Sequence, residues 1–236
     1  MMAREVRIFD TPQQLFDSAA SEFISLRPRT VALSGGSTPK ALYSLLAARY
    51  AEKIPWSQLY FFFGDERHVP PNDQDSNYRM ASEALLSKAP IPPQNIFRVP
   101  AENPDAEAAA LAYEKSIRDF FGVKLEEFPR FDLILLGMGP DGHTASLFPG
   151  SKAIEEHHRI FVANWVEKFK THRLTFTFPV LNHAANVVFM ATGENKAPVM
   201  KDILENLKST LPAAQVQPSN GRLLWLLDRA AASQLT

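Results

Sequence analysis

The feature that most constrains the fold of this chain is the alternation of short, largely apolar runs with longer segments of helical periodicity. The clearest runs are ALS (32–34), FFF (61–63), LILL (133–136) and VVFM (187–190). A strand that helices cover on both faces is apolar at successive positions, whereas a half-exposed strand alternates apolar and polar residues. The pattern therefore predicts an α/β fold with a doubly wound, mostly parallel sheet.

Strands and helices follow one another along the chain. The helix at residues 11–26 has the clearest beginning, because Thr11 and Gln14 form a capping box and Pro12 suits a first helical turn. Further helices are predicted near 38–51, 76–88, 103–121 and 194–208. The predicted strands are residues 5–9, 30–34, 59–65, 131–136, 159–165, 173–178, 186–192 and 222–228. Ligands of such sheets bind outside the carboxyl ends of the strands, so the junctions after the strands are the predicted functional positions.

Length and charge restrict the organisation and the partners. A chain of 236 residues without an internal repeat or a linker is expected to form one domain, residues 1–236. Its formal net charge of −1 provides no basic field that would attract nucleic acid or an anionic membrane. A small-molecule partner is therefore expected, with neither nucleic acid nor membrane, for a monomer or a small homo-oligomer.

The opening segment MMAREVRIFD is charged and lacks the apolar centre of a signal peptide. No apolar stretch approaches the roughly 18 residues that a membrane-spanning helix needs. These two features predict a cytoplasmic protein. The absence of cysteine excludes disulfides, thiolate nucleophiles and thiolate metal sites.

The stretch GMGPDG (137–142) has the spacing G-x-G-x-x-G directly after an apolar strand. A dinucleotide fingerprint needs a helix running on from the third glycine and an acidic residue at the end of the next strand. Pro149 and Gly150 would interrupt that helix within two turns, and the next predicted strand ends without an acid. We interpret the stretch as a turn that presents Asp141 and His143, because a histidine beside a carboxylate suits general-base catalysis.

The stretch SGGST (34–38) also follows a buried strand. Its two glycines let a ligand approach the backbone, and Ser37 or Thr38 is expected to cap the next helix. The amide groups and the positive end of that helix form a ready phosphate site. The alternative is a well-capped structural turn. The stretch is not a Walker A motif, because the glycine spacing and the terminal Lys-Ser/Thr pair are absent.

Charged residues, 65–68, follow the strand that contains FFF. A calcium loop is excluded farther along this segment, because Tyr78 and Ala84 occupy the positions where an EF-hand needs glycine and glutamate. Arg67 is the candidate for binding an anion, since a guanidinium offers two parallel hydrogen bonds.

Two further cations are candidates for ligand binding. Lys196 opens a predicted helix, where the helix dipole disfavours a positive charge, so pairing with an anionic ligand explains it better than helix stability. The segment EKFKTHR (167–173) is rich in basic residues, and a solvated loop is its simplest interpretation. Within this segment, we select Arg173 as the candidate for ligand binding. Whether residues 168–172 close over a ligand stays open.

The remaining histidines give no metal motif. His157 and His158 are adjacent and point apart, and the chain contains no HExxH or similar spacing. His172 and His183 have no motif around them and are assigned to structure or surface. No metal is predicted.

Four blocks together closely resemble the 6-phosphogluconolactonase family, within the larger group that it shares with glucosamine-6-phosphate deaminase. In chain order they are SGGSTP (34–39), GDER (64–67) with the following VP, GMGPDGHTASLFPG (137–150) and GENKA (193–197). The resemblance implies a Rossmann-like fold and no cofactor. It also implies hydrolysis of 6-phospho-D-glucono-1,5-lactone, a phosphorylated sugar lactone, to 6-phosphogluconate in the oxidative pentose phosphate pathway.

The resemblance also implies roles for the residues at matching positions. His143 is expected to be the general base that activates water, with Asp141 orienting it and Arg173 stabilising charge on the carbonyl oxygen. The residues expected to bind the substrate and its phosphate are Ser34, Gly35, Gly36, Ser37, Thr38, Asp65, Arg67 and Lys196.

Two alternatives remain. Deaminases of the group have a glutamate five residues after the histidine and usually a tyrosine at the arginine position, whereas this chain has Phe148 and Arg67. Asp65 and Glu66 are retained, and in the deaminase this acidic pair supplies the base at carbon 2. A noncatalytic sugar-phosphate sensor would keep SGGST and Lys196 but would not need His143.

Overall fold

A computed structural model describes residues 4–236, so the first three residues of the opening segment lie outside the described residues. Its main sheet has six strands, and every neighbouring pair is parallel. The prediction of a mostly parallel sheet flanked by helices is therefore confirmed. In chain order its strands are β1 (Glu5–Phe9), β2 (Thr30–Leu33), β3 (Tyr60–Phe63), β5 (Leu133–Leu136), β8 (Asn186–Ala191) and β9 (Arg222–Asp228).

The order of these strands across the sheet is β1-β9-β8-β5-β2-β3. From the adjacent strands β2 and β5, the chain proceeds outward in opposite directions, to β3 on one side and to β8 on the other. Such a reversal leaves a crevice at the carboxyl ends of the two central strands. The stretches SGGST and GMGPDG both leave the sheet at this crevice, because they follow β2 and β5.

Seven α-helices connect or follow the strands in the described part of the chain: α1 (Pro12–Leu26), α2 (Ser37–Arg49), α3 (Asn77–Ala81), α4 (Ala106–Phe121), α5 (Phe178–His183), α6 (Ala197–Glu205) and α7 (Pro212–Gln215). The capping box of Thr11 and Gln14 is present at the start of α1. Helix α4 begins later than predicted, because the side chain of Asp105 accepts the first-turn amides of Glu107 and Ala108.

Three strands form a second sheet that the sequence pattern does not predict. In it β4 (Asp65–Arg67), β7 (Thr171–Phe176) and β6 (Phe161–Val166) lie antiparallel in that order. Gly64 links the two sheets, because its N–H donates to Leu33 O and its carbonyl accepts from Phe176 N. The predicted strand 59–65 therefore ends at Phe63, and the chain passes into the second sheet at Asp65.

The hydrophobic core lies between the main sheet and the helices, and the strands contribute most of its largest side chains. Phe189 of β8 and Trp225 of β9 stack with ring centroids 3.9 Å apart. Strands β2 and β5 are buried at every position, and β9 is buried at every position after Arg222, as expected for covered strands. Within residues 4–236, no helix is both long and apolar enough to cross a membrane.

Candidate active site

A cavity of about 410 Å³ opens at the carboxyl ends of the central strands. Its lining brings together residues from the loops after β2, β5 and β8 and from the second sheet. All but one of the site residues predicted from the sequence line it: Ser34, Gly35, Gly36, Ser37, Thr38, Asp65, Arg67, His143, Arg173 and Lys196. The exception, Asp141, contacts the His143 ring.

The SGGST loop lines the cavity with uncapped helix amides. Helix α2 begins at Ser37, and its N-cap is Gly36, which has φ of +102° and offers no side-chain cap. The prediction that Ser37 or Thr38 caps this helix is therefore wrong; the Thr38 hydroxyl instead lies 3.0 Å from that of Thr192. The first-turn amides of a helix have no intrahelical partner, so a missing cap leaves them free to bind an anion.

Neighbouring side chains hold the backbone of this loop in place. The Tyr43 hydroxyl accepts from Ser34 N at 2.9 Å and donates to Ser34 O at 3.0 Å. Gly35 packs directly against Asn77, because a Cβ at Gly35 would lie 2.0 Å from Asn77 Oδ1. The buried Ser34 Oγ has no hydrogen-bond partner within residues 4–236. A ligand in the cavity would find this hydroxyl unoccupied.

The turn after β5 fixes both the backbone and the ring of His143. Gly139 N donates to His143 O at 2.9 Å, and Gly142 adopts φ of +78°, a conformation that favours glycine. The ring Nδ1 is hydrogen-bonded to Asp141 Oδ1. Partial burial raises the pKa of Asp141, but the hydrogen bond and the charge of His143 outweigh it, so the net shift is downward. With Nδ1 occupied, Nε2 is the ring nitrogen left for proton transfer.

An aromatic wall lies beside the histidine. The rings of His143 and Phe148 stack with centroids 4.2 Å apart and an interplanar angle of 27°. Phe169 meets Phe148 edge-on at 5.7 Å, and Arg173 Cζ lies 5.1 Å from the Phe169 centroid. Phe148, which distinguishes this chain from the deaminases of the group, is thus in direct contact with the candidate base His143.

The two acids retained after β3 have different environments. Asp65 lines the cavity, and its Oδ2 accepts from Ser146 Oγ at 2.8 Å. Glu66 of β4 is buried against the start of α3, and its carboxylate accepts hydrogen bonds from the amides of Asn77 and Tyr78. Burial raises the pKa of Glu66, although these hydrogen bonds oppose the shift. Glu66 does not line the cavity, so its contacts are those of a structural residue.

Three cations surround the cavity. Arg67 and Arg173 are directly opposite each other in the β4–β7 pair, and Arg67 donates to Asp75 O. Burial lowers the pKa of Arg173, and the nearby charge of Arg67 adds to this effect. Burial also lowers the pKa of Lys196, which is the N-cap residue of α6; Asp141 opposes that shift. The repulsion between Arg67 and Arg173 and the burial of Arg173 and Lys196 favour binding of an anion in the cavity.

Several lining residues were missed from the sequence. Ser146 lies within the block GMGPDGHTASLFPG, but nothing in its spacing indicates that it would contact Asp65. Asn77 does not line the cavity, and nothing in the sequence indicates that its side chain would also contact Asp65. Thr192 directly precedes the GENKA block and Asn195 lies within it, so this block was the available signal. Phe169 had no signal, because it lies among basic residues that were interpreted as a solvated loop.

The structure also describes the remaining histidines and the segment after Gly142. His157 and His158 are exposed, whereas the ring of His172 packs against Trp165 at 5.1 Å. No α-helix runs on from Gly142, which agrees with rejecting the dinucleotide fingerprint. Within residues 4–236, no group of three His, Asp or Glu side chains lies close enough to bind a metal ion.

Known proteins resemble this chain along most of its length. The family described as glucosamine-6-phosphate isomerases/6-phosphogluconolactonase matches residues 8–225. A 6-phosphogluconolactonase of Nostoc sp. is 43% identical over 209 residues, which cover 88% of this chain and 85% of the relative. That of Synechocystis sp. is 44% identical over 208 residues, with 87% and 84% covered. The solved 6-phosphogluconolactonase from Trypanosoma cruzi is 34% identical with a TM-score of 0.89, covering 99% of this chain and 97% of that chain.

Proposed function

This chain belongs to the family of glucosamine-6-phosphate isomerases and 6-phosphogluconolactonases, and we propose from that premise that it is a 6-phosphogluconolactonase. It hydrolyses 6-phospho-D-glucono-1,5-lactone to 6-phosphogluconate in the oxidative pentose phosphate pathway, as do the named relatives. The observation that supports the assignment within this chain is the Asp141–His143 pair beside the cavity that the SGGST loop also lines.

The phosphate of the substrate binds at the SGGST loop. The uncapped amides at the start of α2 donate to its oxygens, and the helix dipole favours its negative charge. Lys196 and Arg67, which both line the cavity, add positive charge. Ser34 Oγ, which lacks a partner within the described residues, supplies one further hydrogen bond. Binding at this end positions the lactone carbonyl near His143.

Hydrolysis then needs one base and no covalent intermediate. His143 Nε2 removes a proton from water as its oxygen attacks carbon 1 of the lactone. When the bond between carbon 1 and the ring oxygen breaks, the imidazolium returns that proton to the ring oxygen. The products are the carboxylic acid, which ionises at neutral pH, and a free hydroxyl. General-base catalysis of this kind contributes on the order of 10² to 10⁴ in rate.

Neighbouring groups orient the base and stabilise charge. Asp141 binds Nδ1 and so fixes the tautomer in which Nε2 is free to accept a proton. Arg173 donates to the carbonyl oxygen as negative charge develops there. Asp65, which Ser146 and Asn77 hold in place, accepts hydrogen bonds from sugar hydroxyls.

The deaminase is the second candidate, since the family includes both activities. Phe148 argues against it, because an apolar ring stacks on His143 where deaminases have a carboxylate. Glu66 is hydrogen-bonded to the start of α3 and does not line the cavity. A noncatalytic sensor would have no use for the Asp141–His143 pair.

Parallel assays on two substrates separate these candidates. Freshly prepared 6-phosphogluconolactone and glucosamine 6-phosphate are supplied to the purified protein, and release of acid and of ammonia are followed. We expect acid from the lactone well above the spontaneous rate and no ammonia. Ammonia release would establish the deaminase, and activity on neither substrate would favour the sensor.

The remaining predictions about the whole protein also stay proposals. The chain forms one domain, residues 1–236, acts as a monomer or a small homo-oligomer, and is located in the cytoplasm. Neither nucleic acid nor a membrane is a partner, and the reaction as written requires no cofactor or metal.

A further inference from the structure

The turn between β6 and β7 brings an exposed aromatic side chain to the active-site cavity. Residues Glu167–Phe169 form a single 3₁₀ turn, and Lys170 ends it in the left-handed region with φ of 51°. Phe169 lines the cavity although 43% of its surface remains exposed. Contact of a phenylalanine ring with water is unfavourable in free energy. The position of Phe169 at a polar cavity therefore needs an explanation beyond packing.

Phe169 contacts the guanidinium of Arg173 face-on. Arg173 Cζ lies 5.1 Å from the ring centroid, within the range of a cation–π interaction. Arg173 Nε is buried without a hydrogen-bond partner, and no carboxylate of residues 4–236 forms an ion pair with this arginine. The ring is thus the neighbour that orients a guanidinium whose Nε–H is still free.

This arrangement differs chemically from the usual way of fixing an arginine. A carboxylate partner would orient Arg173 equally well, but it would occupy the N–H groups and neutralise the charge. An aromatic face attracts the cation through its quadrupole and leaves the in-plane donors available. The free donors are those that a developing oxyanion needs.

The same turn is anchored to the base on its other side. Lys168 Nζ lies 3.4 Å from Asp141 Oδ2, and Phe169 meets Phe148, which stacks on His143. Displacement of the turn would therefore alter the neighbours of both His143 and Arg173.

We propose that Phe169 is a positioning residue for lactone hydrolysis, which orients Arg173 toward the carbonyl oxygen through its ring face while leaving the guanidinium donors free. This inference rests on the proposed function. It assigns a role to a residue that does not itself contact the reacting atoms.

The test compares Phe169→Leu with Phe169→Tyr, which keeps the ring face. Lactone hydrolysis by the unaltered protein is measured first, because its absence would overturn the proposed function before any variant is compared. We expect Phe169→Leu to lower kcat/KM roughly 3- to 30-fold, mainly through kcat, at an unchanged unfolding temperature. Phe169→Tyr is expected to stay within about twofold of the unaltered protein, a range set by the retained cation–π contact.

A double-mutant cycle with Arg173→Met identifies the residue through which Phe169 acts, because methionine removes the cation that the ring attracts. If Phe169 orients the guanidinium, Phe169→Leu changes kcat/KM less than about twofold in the Arg173→Met background, because the oriented group is already absent. Equal effects in both backgrounds would overturn the inference, since Phe169 would then act on the substrate or on the cavity shape. An equal loss for Phe169→Tyr and Phe169→Leu would also overturn it.

Discussion

At the residue scale, the position of the His143 ring depends on a glycine four residues earlier. A Cβ at Gly139 would lie 2.1 Å from both Nδ1 and Cε1 of His143, so Gly139→Ala must displace the ring. Misplacement of a catalytic group by about 1 Å costs on the order of 10²-fold in rate. We expect kcat to fall by about that factor, with a smaller change in KM.

The matched control is Gly137→Ala in the same turn. The nearest atom to a Cβ at Gly137 is Gly35 O at 4.0 Å, which is ordinary contact distance. Steady-state kinetics of the two variants check the prediction. Activity of Gly139→Ala equal to that of the unaltered protein would mean that the position of the His143 ring does not limit the rate.

Lys196 is expected to affect binding rather than chemistry. It lines the cavity and is partly buried, and no carboxylate of the described residues forms an ion pair with it. A bound phosphate is therefore its proposed partner. We expect Lys196→Met to raise KM roughly 10- to 100-fold with a smaller effect on kcat, as for loss of a hydrogen bond to a charged group. Lys201→Met on the same helix is the control, because Lys201 faces Glu205. An unchanged KM in Lys196→Met would remove this lysine from the phosphate site.

At the scale of elements, a buried carboxylate fixes the start of α3 against β4. Glu66 accepts hydrogen bonds from Arg67 N, Asn77 N and Tyr78 N, and burial raises its pKa from the ordinary value of 4.5. The folded protein therefore binds a proton at Glu66 more readily than the unfolded chain does. The contribution of Glu66 to the free energy of unfolding therefore increases as the pH falls from neutrality through the raised pKa toward 4.5.

This sign gives a prediction for Glu66→Gln. The variant has no ionisable group at this position. The stability margin, which is the free energy of unfolding of the unaltered protein minus that of the variant, should therefore increase as the pH is lowered within that interval. Denaturant unfolding at several pH values measures the margin. Glu83→Gln is the control of opposite sign, because Arg79 lowers the pKa of Glu83. A margin that narrows for Glu66→Gln would contradict the assignment.

Elements with a local signal were predictable from the sequence. Thr11 and Gln14 mark the start of α1 through contacts within one turn. The parallel strands were recognisable because continuous burial leaves a continuous apolar run. The junctions after β2 and β5 follow from the same pattern, since the carboxyl ends of parallel strands lie at one edge.

What was missed depends on contacts distant in sequence. The second sheet pairs Asp65–Arg67 with residues about a hundred positions later, and no local pattern specifies that pairing. Phe169 joins the cavity through the same sheet. The missing cap of α2 could not be predicted either, because Ser37 and Thr38 are good capping residues whose use depends on the backbone of Gly36.

At the scale of the whole molecule, the two ends of the chain complete one sheet. Strand β1 pairs along its length with β9, and Arg222 bridges Glu5 and Glu22 next to that pair. This closure supports the proposal of one domain, since the last strand must be in place before the first has a neighbour in the sheet. A pairing of residues so far apart in sequence also implies slow folding relative to helical proteins.

The distribution of charge differs between the whole chain and its cavity. The formal net charge is −1, yet the cavity lining includes Arg67, Arg173 and Lys196 against Asp65. Attraction of a phosphorylated substrate is therefore local, and added salt screens it. We expect kcat/KM for the phosphorylated lactone to fall severalfold between about 20 and about 300 mM salt, while kcat changes little.

The control for the salt effect is glucono-1,5-lactone, which lacks the phosphate. Its hydrolysis should be slow and nearly independent of salt. An equal salt dependence for the two lactones would mean that the cavity charge does not act on the phosphate.

The role of His143 as the general base is tested most directly by the rate of 6-phosphogluconolactone hydrolysis by the unaltered protein and by His143→Gln. Freshly prepared lactone is used, and the spontaneous rate in the same buffer is subtracted. We expect rapid hydrolysis by the unaltered protein and a loss on the order of 10² to 10⁴ in kcat for His143→Gln, the usual contribution of a general base. Hydrolysis by His143→Gln at nearly the unaltered rate would contradict that role.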